Sequence, residues 1–245
     1  MITLENVTCA YPGGKQVLET INLHIEEGET VGLIGANGAG KSTLMKALLG
    51  LAPCQGKITV DGLELTRDTL AEVRKTIGFV MQNSDNQMFM PTVYEDMLFG
   101  PMNYGATRKE AEEAVEEVLE MLGLEYLKPL YNHKISGGEK RMAAIATILA
   151  MRPKVVMMDE PTSALDPYYR RKMIQLLNKL TCTKLIATHD LDFALETCDR
   201  AILIGQGQIV ADGIAGEILR NKELLEANHL ELPLCLAGMS HIFLC

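Results

Sequence analysis

The most informative motif of this chain is Gly35-Ala-Asn-Gly-Ala-Gly-Lys-Ser42. It matches the pattern G-x-x-x-x-G-K-[ST], in which glycines let the backbone curl until its N–H groups point inward at phosphate oxygens. An apolar run, Thr30–Ile34, precedes it, and the pattern predicts a helix over Ser42–Leu49 whose N-terminal dipole also favours an anion. We expect Lys41 to reach the β- and γ-phosphates of ATP and the hydroxyl of Ser42 to bind Mg²⁺.

The gross composition narrows the class of protein. The chain has 245 residues, 47% of them hydrophobic, so one large domain with a substantial core is expected. Its formal net charge of -9 argues against a nucleic-acid partner, because surfaces that bind nucleic acid through its phosphates are usually basic. No signal peptide is apparent, and the longest apolar run, Met142–Met151, has about half the length that a membrane-spanning helix needs. Any membrane role is therefore expected to come through a partner.

Six cysteines are spread widely along the sequence, at positions 9, 54, 182, 198, 235 and 245. No CxxC pair occurs among them, so neither a zinc site nor a redox motif is indicated. We expect buried or incidental thiols in a protein that is kept in a reducing compartment.

Hydrophobic patterning divides the chain into regions of different structure. Residues 1 to about 30 and 56 to 65 show short alternating runs between turn signals, which is typical of an antiparallel sheet. Residues 92 to 151 have the periodicity of helices. Four short apolar runs are typical of parallel strands buried on both faces: Thr30–Ile34, Val155–Met158, Lys184–Thr188 and Ala201–Ile204. The sequence therefore predicts an α/β fold.

Polar residues follow three of these strands: Gly35, then Asp159 and Glu160, then His189 and Asp190. In parallel sheets ligands bind beyond the carboxyl ends of the strands, so we expect these residues to meet at one edge. There Asp159 is expected to hold the metal ion, normally through water. Glu160 is expected to polarise the attacking water as a general base.

Ile135-Ser-Gly-Gly-Glu139 is a second candidate anion site. Its serine and glutamate fit the capping-box pattern at the start of an apolar helix, Met142–Met151. The two glycines behind the cap leave the first N–H groups of that helix open to an anion. One ATP does not need two such sites in one protomer. We therefore expect a head-to-tail dimer in which each site closes over the partner's nucleotide.

Together these stretches resemble the nucleotide-binding subunits of the ATP-binding cassette (ABC) family, and the resemblance covers nearly the whole chain. Gly35–Thr43 resembles the Walker A loop, Met157–Glu160 the Walker B strand, Ile135–Glu139 the signature and Ser163–Asp166 the D-loop. The resemblance implies a P-loop NTPase (RecA-like) core with an N-terminal antiparallel β subdomain and an α-helical signature subdomain. One departure is Ile135, which stands where Leu is usual in the family. The two side chains have similar volumes, so this change should cost little stability.

The resemblance also implies a role for each matching residue. In the family the Q-loop glutamine contacts the metal, the switch histidine contacts the γ-phosphate, and an aromatic residue stacks on adenine. The implied catalytic residues are Glu160, His189 and Gln82, and the implied metal ligands are Ser42, Gln82 and Asp159. The implied nucleotide-binding residues are Tyr11, Gly35, Asn37, Gly38, Gly40, Lys41, Ser42 and Thr43. The implied signature and D-loop residues, which serve the opposite protomer, are Ser136, Gly137, Gly138, Glu139 and Asp166.

Local features narrow the subclass. The Walker A loop and the signature are about ninety residues apart, which excludes the long coiled coil of DNA-repair and chromosome-structural relatives. A single cassette without fused membrane helices favours a subunit that serves separate membrane proteins. The segments Gln82–Phe89 and Leu230–Leu234 resemble the energy-coupling factor importers of vitamins and transition-metal ions such as cobalt. The alternative interpretation of Gln82–Phe89 is a generic Q-loop followed by polar residues, with no particular relation to these importers.

We expect residues 1–245 to form a single ABC ATP-binding domain, with a helical subdomain over about 88–152 and a C-terminal segment over about 214–245. The apolar tail Leu232–Cys245 is expected either to pack at a dimer interface or to complete the core. The expected function is ATP hydrolysis that powers solute uptake at the cytoplasmic face of the cell membrane. The expected partners are a second ABC ATPase subunit, in a homodimer or heterodimer, a transmembrane coupling subunit and a substrate-binding membrane subunit. An exporter motor and a regulatory cassette without transport are the alternatives.

Overall fold

The computed structural model describes residues 1–13 and 16–237 and divides the chain into two compact units. The first unit combines Met1–Arg74 with Cys182–Cys245, and the second is Lys75–Thr181. The described strands are β1 (Ile2–Ala10), β2 (Gln16–Ile25), β3 (Thr30–Ile34), β4 (Cys54–Val60), β5 (Leu63–Glu64), β6 (Ile77–Val80), β7 (Val155–Asp159), β8 (Thr183–Thr188), β9 (Arg200–Gly205) and β10 (Gln208–Ile214). The described α-helices are α1 (Lys41–Leu48), α2 (Leu70–Thr76), α3 (Val93–Asn103), α4 (Arg108–Leu122), α5 (Gly137–Leu149), α6 (Pro167–Lys179), α7 (Leu191–Thr197), α8 (Ala215–Ile218), α9 (Lys222–Ala227) and α10 (Leu234–Ala237).

The first unit contains the predicted antiparallel sheet. Its strand order is β2-β1-β4-β5, and β1 pairs antiparallel with both β2 and β4. Along β1 the side chains of Ile2, Leu4, Val7 and Cys9 are buried, while those between them face outward. The period of two that places one face of a strand on a core holds within each pair, and an irregularity at Asn6, whose φ is 52°, adds one position between Leu4 and Val7.

The first unit also contains a parallel arrangement around β3. This strand, which is buried at all five positions, pairs in parallel with β8 on one side and with β9 on the other. β10 then pairs antiparallel with β9. The continuous apolar runs predicted as buried strands are thus confirmed for Thr30–Ile34, Lys184–Thr188 and Ala201–Ile204, with boundaries that shift by one residue at most.

The second unit holds the parallel pair β6 and β7 together with helices α3 to α6. α4 buries Ala111, Ala114, Val115, Val118 and Leu119, the apolar stripe expected from helical spacing. α3, α4 and α5 each begin with a capping box, in which a Ser or Thr side chain and a Glu three residues later satisfy each other's backbone N–H groups. The helix-rich character predicted for residues 92–151 is therefore confirmed.

The cysteines depart from the sequence expectation. Cys9 and Cys54 form a disulfide in the first unit, although 45 positions separate them in the sequence. The pairing of β1 with β4 places the two residues directly opposite each other, with their Cα atoms 4.1 Å apart. Expecting only isolated thiols was wrong here, because strand register decides which distant cysteines meet. Cys198 fits the expectation of a buried thiol, and burial raises its pKa to about 11.

The described part of the C-terminal tail lies on the surface of the first unit. α10 buries none of its residues, and Leu234 is 79% exposed. The backbone N–H groups of Leu234 and Cys235 donate to the carboxylate of Asp192, at 2.8 and 2.9 Å. Residues 238–245 of the tail lie outside the described residues.

Candidate active site

The glycine loop between β3 and α1 has the conformation that its sequence predicts. Gly35, Gly38 and Gly40 have φ angles of 152°, 82° and 117°, a region that residues with a Cβ rarely adopt. A Cβ on Gly40 would lie 2.7 Å from Cδ2 of Leu18 and 3.2 Å from the carbonyl oxygen of Val17. Both the backbone conformation and the close approach of Val17 and Leu18 in β2 therefore require glycine at this position.

Lys41 lies inside the curl of this loop. The lysine is 6% exposed, and its Nζ donates to the carbonyl oxygens of Gly35, at 2.6 Å, and Ala36, at 3.3 Å. Asn37 and Gly38 form the exposed crest of the loop, and Ser42 is exposed at the start of α1. α1 has no side-chain cap, because its N-cap residue is Gly40, so no side chain competes for the first N–H groups of the helix. A positively charged loop followed by an uncapped helix start suits a chain of phosphates.

The register of β3 and β8 brings two predicted site residues to one edge of the first unit. Ile34 pairs with Thr188 at the last position of the parallel ladder. Gly35 and His189 therefore leave adjacent strands at the same level. His189 is exposed, and the next residue, Asp190, caps α7 by accepting a 2.8 Å hydrogen bond from the N–H of Phe193. Tyr11 lies half-buried just past the end of β1.

The second unit repeats this arrangement at the ends of β6 and β7. Val80 pairs with Met158, so Met81, which leads into the Q-loop at Gln82, leaves the sheet beside the acidic pair Asp159 and Glu160. Asp159 is 9% and Glu160 7% exposed. Glu160 has a φ of 48°, a left-handed conformation that costs a residue with a side chain on the order of 1–3 kcal/mol. Such a conformation persists only when its surroundings hold it.

Arg141, on α5, is the residue that sequence reasoning missed. Its side chain is buried in the second unit and donates to the carbonyl oxygens of Met81 and Gln82 through Nη1, of Asp159 and Glu160 through Nη2, and of Pro161 through Nε. A signal was present, since an arginine five residues after the predicted helix cap falls at the start of an otherwise apolar run. Its acceptors are backbone carbonyls, which every residue has, so the sequence could not show which residues Arg141 binds.

The signature stretch begins α5 as predicted. The hydroxyl of Ser136 donates to the carboxylate of Glu139 at 2.8 Å and accepts from its backbone N–H at 3.3 Å. The backbone N–H and hydroxyl of Ser136 lower the pKa of Glu139, and a hydrogen bond from Tyr126 adds to this effect. Ser136 and Gly137 are exposed, whereas Gly138 is covered on one side by the ring of Tyr169.

The D-loop residue Asp166 serves as the N-cap of α6. Its carboxylate accepts a 2.9 Å hydrogen bond from the backbone N–H of Tyr169. The same tyrosine that covers Gly138 is thus fixed to the D-loop through its own backbone. Ala164 within this loop has a φ of 61°, which makes the turn tight.

The donor set suits a magnesium ion that arrives with a nucleotide. Within the described ranges, His, Cys, Asp and Glu side chains form no group of three or more that could hold a metal ion. Mg²⁺ usually keeps several waters and uses one or two protein oxygens besides the substrate phosphates. The hydroxyl of Ser42 in the first unit and the carboxylate of Asp159 in the second are each, taken singly, an oxygen ligand of this kind.

Comparison with known proteins decides the family. The sequence profile of the family described as ABC transporter matches residues 18–163, more than half of the chain. The chain belongs to this family. EcfA of Methanothermobacter thermautotrophicus, an energy-coupling factor transporter ATP-binding protein, is 41% identical over 239 residues, which cover 95% of this chain and 77% of EcfA.

Solved structures of ABC cassettes share the fold. CbiO1 of Clostridium perfringens, described as part of the ABC transporter complex cbiONQ, matches with a TM-score of 0.83 and 33% identity over 98% of each chain. A dimeric ATP-binding cassette in a post-hydrolysis state, bound to ADP and phosphate, matches with a TM-score of 0.76 and 31% identity over 88% of this chain and 99% of its own. The P-loop NTPase core with an antiparallel β part and a helical part is therefore confirmed.

As an ABC ATPase the chain binds ATP with Mg²⁺ and hydrolyses it in the service of transport across a membrane. Among the described residues, none of the helices is both long and apolar enough to cross a membrane.

Proposed function

We propose that this ABC ATPase powers solute uptake as part of an energy-coupling factor importer, for a vitamin or a transition-metal ion such as cobalt. The relationship to EcfA supports this proposal, because the similarity extends over nearly the whole chain. The similarity to cbiO1, which is described as part of the cbiONQ complex, points the same way. Within the chain, the segment Gln82–Phe89 carries the proposal.

The geometry of this segment separates an anchor from an exposed surface. Gln87 is the anchor, since its Nε2 donates to the carbonyl oxygen of Ala144 at 2.6 Å and its Oε1 accepts from the N–H of Met81 at 3.0 Å. Phe89 is 63% exposed and packs edge-to-face on Phe99, itself 43% exposed, with ring centroids 4.9 Å apart. An exposed aromatic pair beside the Q-loop suits the docking of an apolar helix of a membrane subunit.

The proposed mechanism assigns each polar group to one task. Lys41 and the N–H groups of the glycine loop bind the phosphates of ATP, and Tyr11 stacks on the adenine. Glu160 accepts a proton from the attacking water, a contribution of about 10²–10⁴ in rate for a well-placed base. His189 contacts the γ-phosphate from the end of β8, next to the loop that follows β3.

Magnesium supplies positive charge that offsets the negative charge developing on the phosphate oxygens during hydrolysis. Ser42, Gln82 and Asp159 are the residues proposed to hold it. Asp159 comes at the end of a fully buried strand, β7, so its carboxylate is held on a rigid element. A rigid support keeps the geometry of a metal ligand constant.

We further propose that the working site needs two cassettes. Ser136, Gly137, Gly138 and Glu139, with Asp166, would complete the site that holds the partner's ATP, in a homodimer or with a homologous ATPase. Ser136 and Gly137 are exposed in a single chain, as a surface that closes on a partner must be. The helical subdomain of about 88–152 would carry the signature, and the segment of about 214–245 would pack in the dimer or on the core.

The proposed location is the cytoplasmic face of the cell membrane, with the ATPase held peripherally by its membrane partners. Purification of the tagged full chain from detergent-solubilised membranes should yield a multi-helix transmembrane subunit and a small substrate-binding membrane protein. Proteoliposomes made from that complex, with ATP on the ATPase side, should accumulate the solute on that side. Movement of solute away from the ATPase side would indicate an exporter, and a purely soluble set of partners would indicate a regulatory cassette.

A further inference from the structure

We infer that Arg141 is a positioning residue, which locks the backbone of Glu160 and the backbone of Met81 and Gln82 into one geometry. The inference rests on the proposed roles of Glu160 and Gln82. It concerns hydrolysis alone and is independent of which solute is transported or in which direction.

The first argument is the match between donors and acceptors. A guanidinium group has five N–H donors in a rigid plane. In Arg141 those donors have five carbonyl acceptors, with 3.1 Å to Pro161 and Asp159 and 3.0 Å to Gln82 and Glu160, and a short contact to Met81. A lysine in the same place would have three donors on a single nitrogen and could not reach both groups of carbonyls at once.

The second argument is where the acceptors lie. Three of them are consecutive carbonyls, at Asp159, Glu160 and Pro161, and they bracket the residue whose φ is 48°. A guanidinium that holds the carbonyls on both sides of a left-handed residue holds that residue's backbone, and hence the direction in which its side chain leaves. The positioned side chain is the carboxylate of Glu160.

The third argument is that one side chain spans two neighbouring strands. The remaining acceptors, Met81 and Gln82, follow β6, whose last residue, Val80, pairs with Met158 of β7. Arg141 therefore fixes the exit of the Q-loop relative to the exit of the acidic pair. Because Arg141 belongs to α5, it also connects both exits to the helix whose N-cap is the signature residue Ser136.

The burial of the charge indicates that these bonds are made continuously. Arg141 is 3% exposed, and a buried cation without partners would be strongly unfavourable. Burial lowers its pKa to about 10, while the charges of Asp159 and Glu160 oppose that shift. The group therefore stays charged, with all donors available, near neutral pH.

The test compares Arg141→Lys and Arg141→Gln with the unchanged full chain, in steady-state ATP hydrolysis with a melting temperature for each variant. A misplacement of about 1 Å in a reacting group can cost about 10²-fold in rate. We expect kcat to fall by about 10- to 100-fold, with KM for ATP changed by less than about threefold, because the phosphate-binding loop belongs to the other unit. Two variants are used so that a folded protein is available if one of them fails to fold.

Arg200→Met is the matched control for a lost guanidinium. Arg200, in the first unit, donates to Asp212, Glu29 and the carbonyl oxygen of His24. Its loss should lower the melting temperature and leave kcat unchanged at a temperature where the protein is folded. If kcat of the Arg141 variants falls only as far as it does in Arg200→Met, Arg141 is merely structural and the inference is overturned.

The double variant Arg141→Lys/Glu160→Gln tests whether Arg141 acts through Glu160. Single-turnover hydrolysis with radiolabelled ATP measures the residual rate of Glu160→Gln with and without the second change. We expect the rates to agree within about twofold, because residues that act as one unit are not additive. Additive losses would overturn the inference. Wild-type turnover in Glu160→Gln alone would remove the role of Glu160 and the inference with it, without touching the proposal of solute uptake.

Discussion

The ring of Tyr169 lies directly against Gly138, so that a Cβ added to this glycine would come within 2.6 Å of Cγ and Cε2 of the ring. Tyr169 in turn donates its backbone N–H to Asp166 at 2.9 Å. Its hydroxyl group also interacts with that of Tyr126, which is bonded to Glu139. The second glycine of the signature and the D-loop are thus held together by one residue, Tyr169, whose ring contacts Gly138 and whose backbone N–H binds Asp166.

Gly138→Ala should therefore destabilise the protein, because the ring is fixed at both ends and cannot swing aside freely. Overpacking of this kind costs about 1–3 kcal/mol of unfolding free energy. Chemical denaturation measures this loss directly. Tyr169→Ala combined with Gly138→Ala should recover the overpacking part, and no recovery would show that the ring is not what excludes a side chain here.

Gly137→Ala is the matched control for that experiment. A Cβ on Gly137 meets nothing within 4 Å, and the residue has an ordinary helical conformation. Because alanine restricts the unfolded chain more than glycine does, we expect unchanged or slightly higher stability, by about 0.5–1 kcal/mol. A loss as large as that of Gly138→Ala would contradict the packing described for this stretch.

Gly40→Ala should abolish ATP binding as well as lower stability. The new methyl group would meet Leu18 and the backbone of Val17 at a φ of 117°, so the loop would have to change shape. Binding of a fluorescent ATP analogue, titrated against the folded variant, is the measurement. Gly38 also has a positive φ, of 82°, but a Cβ added there would meet nothing within 4 Å. For Gly38→Ala we therefore expect a smaller loss of stability, of about 1 kcal/mol.

Glu160→Gln should separate binding from hydrolysis. The amide keeps the size of the carboxylate but cannot accept the proton of the attacking water, so turnover should fall by about 10²–10⁴-fold while ATP still binds. Phosphate release gives the rate, and size-exclusion chromatography with ATP should show a persistent dimer. Hydrolysis at the unmodified rate would exclude Glu160 as the general base.

Reduction of the Cys9–Cys54 disulfide should destabilise the first unit. The bond closes a loop of 45 positions, and such bonds contribute about 2–4 kcal/mol, chiefly by restricting the unfolded chain. Urea denaturation with and without reductant measures the difference, and mass spectrometry of the alkylated protein shows whether the bond is formed. Cys235→Ser is the control, since Cys235 is an exposed free thiol whose loss should leave the difference unchanged.

The phosphate-binding loop, the buried strands and the capping box at Ser136 could be predicted from the sequence because each depends on residues close together in the chain. Gly35 to Ser42 encode their own curl through φ angles that only glycine adopts readily. The capping box at Ser136 needs only a glutamate three residues later. β3 and β8 could be predicted because each is a short, continuous apolar run, which is again a property of neighbouring residues.

Tertiary structure alone decided which distant residues meet. The disulfide depends on the register of β1 with β4, and the neighbouring exits of Gly35 and His189 depend on the parallel pairing of Ile34 with Thr188. Arg141 binds five backbone carbonyls, and every residue has a carbonyl, so no pattern of residue types could have pointed to its partners. The side chains and local conformations that the sequence encodes supply the chemistry of the site, whereas long-range packing sets the geometry in which those side chains are held.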